Sequence, residues 1–331
     1  MTESTPQRLF QVARDAATAP ANFRGAVVAI GNFDGVHRGH RRVIAAATER
    51  AKMLGRPAIA LTFEPHTRSY FRPGEQLFRL TDESAKLRLL AATDLDGAFV
   101  LKFDARLAEL SAEAFVQRIL VEQLAVAGAA VGFDFHFGRG RGGSPGVLLA
   151  QGEKHGFPVD VASPLLDAGR PVSSSGIRSA LADGRIDEAA ELLGYPWFVS
   201  ATVIHGDKRG RDLGFPTANL RLDPGCGLRH GIYAVRVGRG GERFGGVASF
   251  GRRPTFDNGA PLLEVFLFDF AGSLYDQVLD VAFIGWIRPE QRFTSVDDLV
   301  RQMDDDAARA REMLAAKPDA FPLLGMPVAV A

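Results

Sequence analysis

The chain has a single cysteine, Cys226, and no excess of either charge. One cysteine excludes an intramolecular disulfide and any metal site built from several cysteines. The 39 Lys and Arg residues balance 39 Asp and Glu residues, so the formal net charge of +0 gives no general attraction to nucleic acid or to a membrane surface. Any anion-binding site must therefore be local.

Long apolar runs are also missing, and we expect no secretory leader. The N-terminus lacks a basic, apolar and small-residue signal pattern, and no apolar run approaches the length that crosses a membrane. We therefore expect a cytoplasmic protein that binds neither nucleic acid nor a membrane. With 331 residues, 46% of them hydrophobic, the chain is long enough for two domains.

Residues 26–193 alternate short apolar runs with helical patterns. The predicted strands are 26–30, 58–63, 97–103, 129–135 and 157–162, and the predicted helices are 41–54, 81–92, 111–124, 146–155, 175–182 and 187–193. Thr81 and Ser111 are the expected N-caps of their helices. This alternation predicts a Rossmann-like α/β domain whose parallel sheet is covered by helices on both faces.

The pattern changes after Gly194-Tyr195-Pro196. Predicted strands then follow one another without helices between them, at 197–204, 231–237, 244–251, 262–268 and 277–286. Consecutive strands of this kind predict a small closed antiparallel β-barrel. A final helix is predicted at 294–315, with Thr294 or Ser295 as its N-cap. We place the domains at 1–194 and 195–331.

The most informative stretch is the turn between the first predicted strand and the first helix, Gly31-Asn32-Phe33-Asp34-Gly35-Val36-His37-Arg38-Gly39-His40. N–H groups at a helix N-terminus attract anions, and His37 and His40 fall on one face of the first turn. Gly39 allows a ligand to approach the backbone closely. Two surface histidines on a glycine-rich turn are the alternative interpretation. The His-x-Gly-His pattern in this position resembles the adenylyl/cytidylyltransferase superfamily.

Three further stretches of the first domain suit phosphate or ligand binding. Thr62 to His66 ends the second strand, Gly132 to Gly143 ends in a basic loop, and Ser173 to Arg178 places hydroxyls at a helix N-terminus. Gly138 to Gly143 also match the dinucleotide pattern GxGxxG, with Asp160 about 20 residues further on. We disfavour that alternative because the pattern belongs in the first strand–helix turn, which here carries the histidines.

In the second domain, a basic glycine-rich loop runs from Gly206 into Pro216-Thr217-Ala218-Asn219. The sequence contains neither a Walker GxxxxGK[ST] pattern nor the protein-kinase motifs. Thr217 and Asn219 alternate to one face of an extended segment and offer oxygen ligands to a hard cation. From these residues alone, a purely structural turn remains the alternative.

Taken together, the motifs resemble bacterial bifunctional riboflavin kinase/FAD synthetases along nearly the whole chain. The resemblance implies that the first domain is an FMN adenylyltransferase that makes FAD from ATP and FMN, with His37 and His40 as catalytic residues. The residues that it implies for ATP and phosphate binding are Gly31, Asn32, Phe33, Asp34, Gly35, Gly39, Ser173, Ser174, Ser175 and Arg178. Those that it implies for FMN are Phe63, Glu64, Pro65, His66, Asp134 and Phe137.

The same resemblance implies that the barrel is a riboflavin kinase. Glu264 takes the place of the general base for the ribityl 5′-hydroxyl, and Thr217 and Asn219 take the place of the Mg²⁺ ligands. The residues implied for ATP and flavin are Gly206, Lys208, Arg211, Gly214, Phe215, Pro216 and Arg253. FMN and FAD are then substrates or products rather than prosthetic groups.

Four residues depart from the family pattern. Ser175 stands where threonine is usual, Gly176 where arginine is common, Ser249 where asparagine is frequent, and Phe266 where histidine is frequent. Two alternatives therefore stay open: a flavin-binding protein that has lost one or both activities, and a nucleotidyltransferase with another acceptor. The expected partners are riboflavin, FMN, FAD and ATP, and a homo-oligomer is compatible with the sequence.

Overall fold

Residue contacts divide the chain into two units in the computed structural model, which describes residues 9–15, 19–205, 216–252 and 261–329. The first, the sheet unit, comprises Met1–Glu75, Thr81–Ser173 and Leu323–Ala331. The second, the barrel unit, comprises Gln76–Leu80 and Ser174–Pro322. Two short segments are thus separated in sequence from the rest of the unit to which they belong.

The sheet unit contains a parallel sheet of seven strands, numbered here along the chain. They are β1 (Phe10–Arg14), β2 (Val27–Ile30), β3 (Ala58–Glu64), β4 (Gly97–Lys102), β5 (Gly128–Gly132), β6 (Val159–Ala162) and β15 (Pro327–Ala329). Their order across the sheet is β15-β1-β4-β3-β2-β5-β6. The sequence did not predict β1 and β15, which form one edge of the sheet and pair with each other in parallel. The predicted parallel sheet is confirmed.

Helices and a small hairpin complete the sheet unit. They are α1 (Arg38–Leu54), α2 (Thr67–Phe71), α3 (Glu83–Ala91), α4 (Ala105–Ala108), α5 (Ala112–Phe115) with a π-helical continuation at Val116–Gln123, α6 (Pro145–His155), and the hairpin strands β7 (Leu166–Asp167) and β8 (Arg170–Pro171). The central strands are apolar without alternation, as in β2, where every residue is buried, because helices cover both faces.

Helix boundaries follow the capping residues. The hydroxyl of Ser111 accepts the N–H of Ala114, which confirms it as an N-cap. Thr81 does not cap α3, because Asp82 occupies that position and accepts the N–H of Ala85. Helix α1 buries Val43, Ile44, Ala47, Thr48 and Ala51 on one stripe, and Gly55 ends it in the left-handed conformation.

The barrel unit contains the predicted closed barrel of antiparallel strands. The strands are β9 (Phe198–Ile204), β10 (Thr217–Arg221), β11 (Gly231–Arg239), β12 (Glu242–Arg252), β13 (Pro261–Leu267) and β14 (Val278–Arg288), and they close in the order β10-β13-β12-β11-β14-β9. The helices of this unit are α7 (Ser174–Ala182), α8 (Ile186–Leu193) and α9 (Val296–Ala315). No helix in the described parts of the chain combines the length and apolar character needed to cross a membrane.

Polar contacts attach the final helix, α9, to the barrel. Ser295 is its N-cap and accepts the N–H of Asp298. Arg288 on β14 forms two hydrogen bonds to the buried carboxylate of Asp306, at 2.8 and 2.7 Å. Arg236 on β11 donates from Nη2 to the carbonyl of Leu314 at 3.2 Å, so it caps the helix C-terminus. The barrel thus fixes the middle and the end of α9.

The segment Gln76–Leu80 is built into the barrel unit. The indole N–H of Trp197 donates to the carbonyl of Leu80 at 2.9 Å, and the Trp197 ring meets Phe78 edge to face. Helices α7 and α8 also belong to this unit, although the sequence placed them in the first domain. The two units are defined by contacts between residues and not by independent folding. The domain boundary at residue 194 therefore stays a prediction.

Candidate active sites

The turn after β2 combines burial with unusual backbone conformations. Phe33 has φ 50°, Gly35 has φ 82° and Val36 has φ 36°. Phe33 and Val36 are fully buried. A β-branched residue such as Val36 adopts this left-handed conformation at a cost of about 1–3 kcal/mol, and such residues cluster at ligand-binding turns. The surrounding packing therefore imposes the shape of this turn.

Strand topology places this turn where ligands bind in α/β sheets. Strand β2 lies between β3 and β5, and the chain winds outward in opposite directions from these two neighbours. The carboxyl end of β2 is therefore at the topological switch point. Because all strands are parallel, the ends of β3 and β5 reach the same edge of the sheet. The structure thus brings the predicted segments after β2, β3 and β5 to one edge.

His37 and His40 form the centre of this edge. Their rings stack with centroids 3.6 Å apart and planes inclined by 18°. His37 is buried, and its Nδ1 accepts the backbone N–H of His40 at 3.2 Å. This bond requires the tautomer of neutral His37 with its proton on Nε2. His37 is therefore also the N-cap of α1, and its orientation is fixed by the helix itself.

Gly39 is needed for this arrangement. A Cβ at this position would lie 3.1 Å from the His37 ring and 3.2 Å from the carbonyl oxygen of Val172. Both distances are shorter than ordinary van der Waals contact, so a larger residue would displace the histidine ring. The glycine thus makes room for the ring of the catalytic candidate His37.

A buried hydrogen-bond network fixes the turn before His37. Asp34 is 2% exposed, and its Oδ1 accepts the N–H of Thr81 at 3.0 Å and the hydroxyl of Thr81 at 3.4 Å. The same hydroxyl oxygen accepts the N–H of Gly35 at 3.1 Å. We call these three residues the Thr81 clamp. The sequence interpretation missed the clamp because Thr81 lies 47 residues after Asp34.

We expect Thr81→Val to weaken the turn and the reaction that depends on it. Valine keeps the shape of threonine but removes the hydroxyl oxygen that accepts the buried Gly35 N–H, and the loss of such a buried bond costs about 1–3 kcal/mol. Thermal unfolding should shift to lower temperature and FAD formation should fall. Thr48→Val is the matched control, because the Thr48 hydroxyl donates to the carbonyl of Ala45 in its own helix. Equal effects of the two substitutions would contradict a special role for the clamp.

The end of β3 carries an aromatic cluster that the sequence did not indicate. Phe103 is contacted by Phe63, Tyr70 and Phe71, with ring centroids 6.0, 5.4 and 5.6 Å away. Phe71 is 61% exposed. The short helix α2 presents Tyr70 and Phe71 directly after Pro65-His66, and its five residues are too few for a periodic signal. Exposed aromatic rings at a ligand edge favour a planar ligand.

The other FMN candidates lie after β3 and β5. Glu64 pairs with Lys86, Pro65 is exposed, and His66 caps α2 by accepting the N–H of Arg68 at 3.1 Å. Asp134 is exposed, whereas Phe137 is buried against Phe135 and Phe115.

The glycine-rich loop after Phe137 differs from a dinucleotide-binding turn. Phe137 and Gly143 form an isolated β-bridge, and a Cβ on Gly143 would lie 2.6 Å from the Phe137 ring. Arg139–Arg141 between them form a 3-10 turn. The loop therefore folds back on itself, and Gly143 leaves the space that the Phe137 ring occupies.

The serine-rich segment is divided between the two units. Ser173 ends a segment of the sheet unit, while Ser174, Ser175 and Arg178 lie in α7 of the barrel unit. The Nε of Arg178 donates to the carbonyl of Phe78. Gly176, where the family often has arginine, lies in the first turn of the same helix. The phosphate-binding role of these residues stays a prediction.

The barrel places the kinase candidates in two rows across three strands. Asn219, Glu264 and Ser249 face one another in register on β10, β13 and β12. In the next row, Thr217 is directly beside Phe266. These side chains alternate along their strands with buried residues, among them Ala218, Leu263 and Val265. Asn219 is itself buried, whereas Thr217, Ser249, Glu264 and Phe266 are partly buried.

Other candidates of the kinase site lie at the border of the described structure. Pro216 is exposed immediately before β10. Outside the described residues lie Gly206, Lys208, Arg211, Gly214, Phe215 and Arg253. Within the described segments, no group of three or more His, Cys, Asp or Glu side chains is arranged to hold a metal ion. The oxygens of Thr217 and Asn219 suit a magnesium ion whose remaining ligands are phosphate and water.

Comparisons with known proteins agree along both parts of the chain. A family model described as FAD synthetase matches residues 19–176, and one described as riboflavin kinase matches residues 193–314. A bifunctional riboflavin kinase/FMN adenylyltransferase of Escherichia coli K12 is 41% identical over 289 residues, which are 87% of this chain and 92% of that protein. Proteins of the same description are 43% identical in Pseudomonas fluorescens, over 88% of this chain and 94% of that protein, and 41% identical in Haemophilus influenzae, over 91% and 98%.

A solved structure shares the fold of nearly the whole chain. It is a crystal structure from Streptococcus pneumoniae, described as a macrolide-efflux protein, with a TM-score of 0.81 and 28% identity. The match covers 91% of this chain and 98% of that one.

Proposed function

The chain belongs to the family of bifunctional riboflavin kinase/FMN adenylyltransferases, and from this premise we propose which residues perform each reaction. The protein phosphorylates riboflavin to FMN with ATP and then adenylylates FMN to FAD with release of pyrophosphate. We assign the second reaction to the edge around His37 and His40, and the first to the rows around Glu264. The two activities therefore depend on different residues.

The stacked histidine pair at the switch point carries the adenylyltransferase assignment. A phosphate oxygen of FMN attacks the α-phosphorus of ATP, and pyrophosphate leaves with its bonding electron pair. His37 and His40 and the first N–H groups of α1 offer donors to the charge that develops on the leaving group. Because His37 is held by its bond to His40, this stabilisation requires no rearrangement of the ring during the reaction.

The flavin side of this site is assigned to the neighbouring strand ends. We place the isoalloxazine ring against the segment from Phe63 to His66 and the exposed rings of Tyr70 and Phe71. Asp134 and Phe137 after β5 complete this assignment. Planar aromatic side chains suit a planar heterocycle, and their rigidity limits the entropy lost on binding.

In the barrel, the row of Asn219, Glu264 and Ser249 supports the kinase assignment. Glu264 accepts the proton of the ribityl 5′-hydroxyl while the hydroxyl oxygen attacks the γ-phosphorus of ATP, and ADP leaves with the electron pair of the broken phosphorus–oxygen bond. Thr217 and Asn219 would hold Mg²⁺, which neutralises phosphate charge when it is bound. Glu264 lies directly across from Asn219, so the base and this ligand are neighbours on the sheet surface.

A time course tests both reactions together. Purified protein incubated with riboflavin and MgATP should accumulate FMN first and FAD later, with ADP and pyrophosphate formed in equal amounts at completion. Supplying FMN in place of riboflavin should give FAD and pyrophosphate without ADP. Binding of riboflavin without turnover would favour a protein that has lost activity. Conversion of another phosphate-bearing acceptor in preference to FMN would favour the second alternative.

Three further expectations are proposals of the same kind. We place both reactions in the cytoplasm, since ATP is the donor in each of them. We expect no binding of nucleic acid, because 39 basic residues are balanced by 39 acidic residues. A homo-oligomer stays a prediction that sedimentation would check.

A further inference from the structure

Helix α3 carries a lysine that is buried almost completely. The Lys86 side chain is 3% exposed, and its Nζ donates to Oε1 of Glu64 at 2.6 Å. The same ammonium group donates to the carbonyl of Phe63 at 3.2 Å. Lysines are almost never buried to this extent unless they are paired. Neither hydrogen bond has a part in the reactions assigned above.

This ion pair lies at the strand end assigned to the flavin. Glu64 is the last residue of β3, and Pro65 and His66 follow it at the edge of the sheet. The Glu64 side chain is 13% exposed, so it is only partly shielded from the edge. An unpaired carboxylate in this position would repel the phosphates of both substrates, since charges interact strongly where water is scarce.

The position of α3 connects the two sides of the site. Thr81, two residues before this helix, fixes Asp34 and Gly35 in the turn that leads to the histidines. Lys86, one turn into the helix, fixes the end of β3. The nucleotide turn and the flavin strand are therefore held by one short segment, residues 81–86.

We propose that Lys86 is a positioning residue for adenylyl transfer. It neutralises Glu64 and anchors the carbonyl of Phe63, so that Pro65 and His66 meet the flavin at an edge without excess negative charge. This inference rests on the assignment of FAD formation to the sheet unit. A purely structural role would require only that the space be filled, and an apolar side chain does that at a lower desolvation cost.

The test compares Lys86→Met with Lys86→Arg. Methionine keeps most of the length of lysine and removes its charge, so the Glu64 carboxylate loses the ammonium group of Lys86. We expect the KM for FMN of K86M to rise by about tenfold or more, because the edge that meets an anionic substrate then carries one more negative charge. Arginine keeps a positive charge beside Glu64, so the KM for FMN of K86R should stay much closer to the wild-type value. Riboflavin phosphorylation should be unchanged in both variants.

Lys52→Met is the control for loss of one lysine, because Lys52 is exposed near the C-terminal end of α1, at the opposite edge of the sheet. A wild-type KM for FMN in K86M would overturn the proposal, and so would a K86R variant as impaired as K86M, since packing and not charge would then explain the effect. If K86M fails to fold, the KM for FMN of Lys86→Gln, which has a polar end without a charge, decides in the same way. Wild-type protein that forms no FAD from FMN would overturn the assigned function itself.

Discussion

Replacing both His37 and His40 with alanine should abolish FAD formation while riboflavin is still converted to FMN. The stacked rings are the donors assigned to the leaving pyrophosphate, and removal of one such donor typically lowers turnover by about 10²–10³-fold. Loss of both should bring FAD below detection in a time course analysed by flavin chromatography. FMN should accumulate instead, because the residues assigned to its formation lie on the barrel.

His155→Ala is a suitable control, since this histidine lies at the end of α6 and has no role in either proposed site. The variant with alanine at both His37 and His40 should retain the circular dichroism spectrum and the riboflavin kinase rate of the wild type. If a folded variant loses both activities equally, the two reactions do not occupy separate sites.

Glu264→Gln should lower riboflavin phosphorylation by about 10²–10⁴-fold, the usual effect of removing a general base. Glutamine keeps the shape and a hydrogen-bond acceptor, so the affinities for riboflavin and MgATP should stay close to those of the wild type. FAD formation from supplied FMN should not change.

Glu242→Gln serves as the matched control, because Glu242 is an exposed residue at the start of the neighbouring strand β12. Near-normal phosphorylation by E264Q would remove this carboxylate from the mechanism and leave positioning of the phosphates as the source of the rate. A large loss of riboflavin affinity would instead assign Glu264 to binding.

The parts of the sites that depend on local sequence could be predicted. His37, Gly39 and His40 are close in sequence, and the helix that begins at Arg38 fixes their geometry directly. Thr217 and Asn219 were expected to share one face of an extended segment, and β10 places them so. Glu264 was expected from the resemblance alone, and in β13 it alternates with the buried Leu263 and Val265.

The parts that depend on contacts between distant residues could not be predicted. Thr81 has the appearance of an N-cap, and only the fold shows that it holds Asp34. Lys86 lies in a helical pattern where a lysine is usually exposed, and its partner Glu64 is 22 residues away. Strand β15 has three residues, and only its pairing with β1 shows that it is a strand. No local preference indicates such pairings.

The edge strand β15 also bears on how the protein is made. The ribosome synthesises the chain from its N-terminus onward, so β1 is made more than 300 residues before its partner β15. Strand β1 can therefore pair with β4 long before β15 is synthesised, and its other edge has no β15 partner until then. The segment Gln76–Leu80 likewise precedes its hydrogen-bond donor, since Trp197 is synthesised 117 residues after Leu80. Both contacts thus form late in synthesis, and deletion of residues 327–329 would leave β1 as the edge of the sheet.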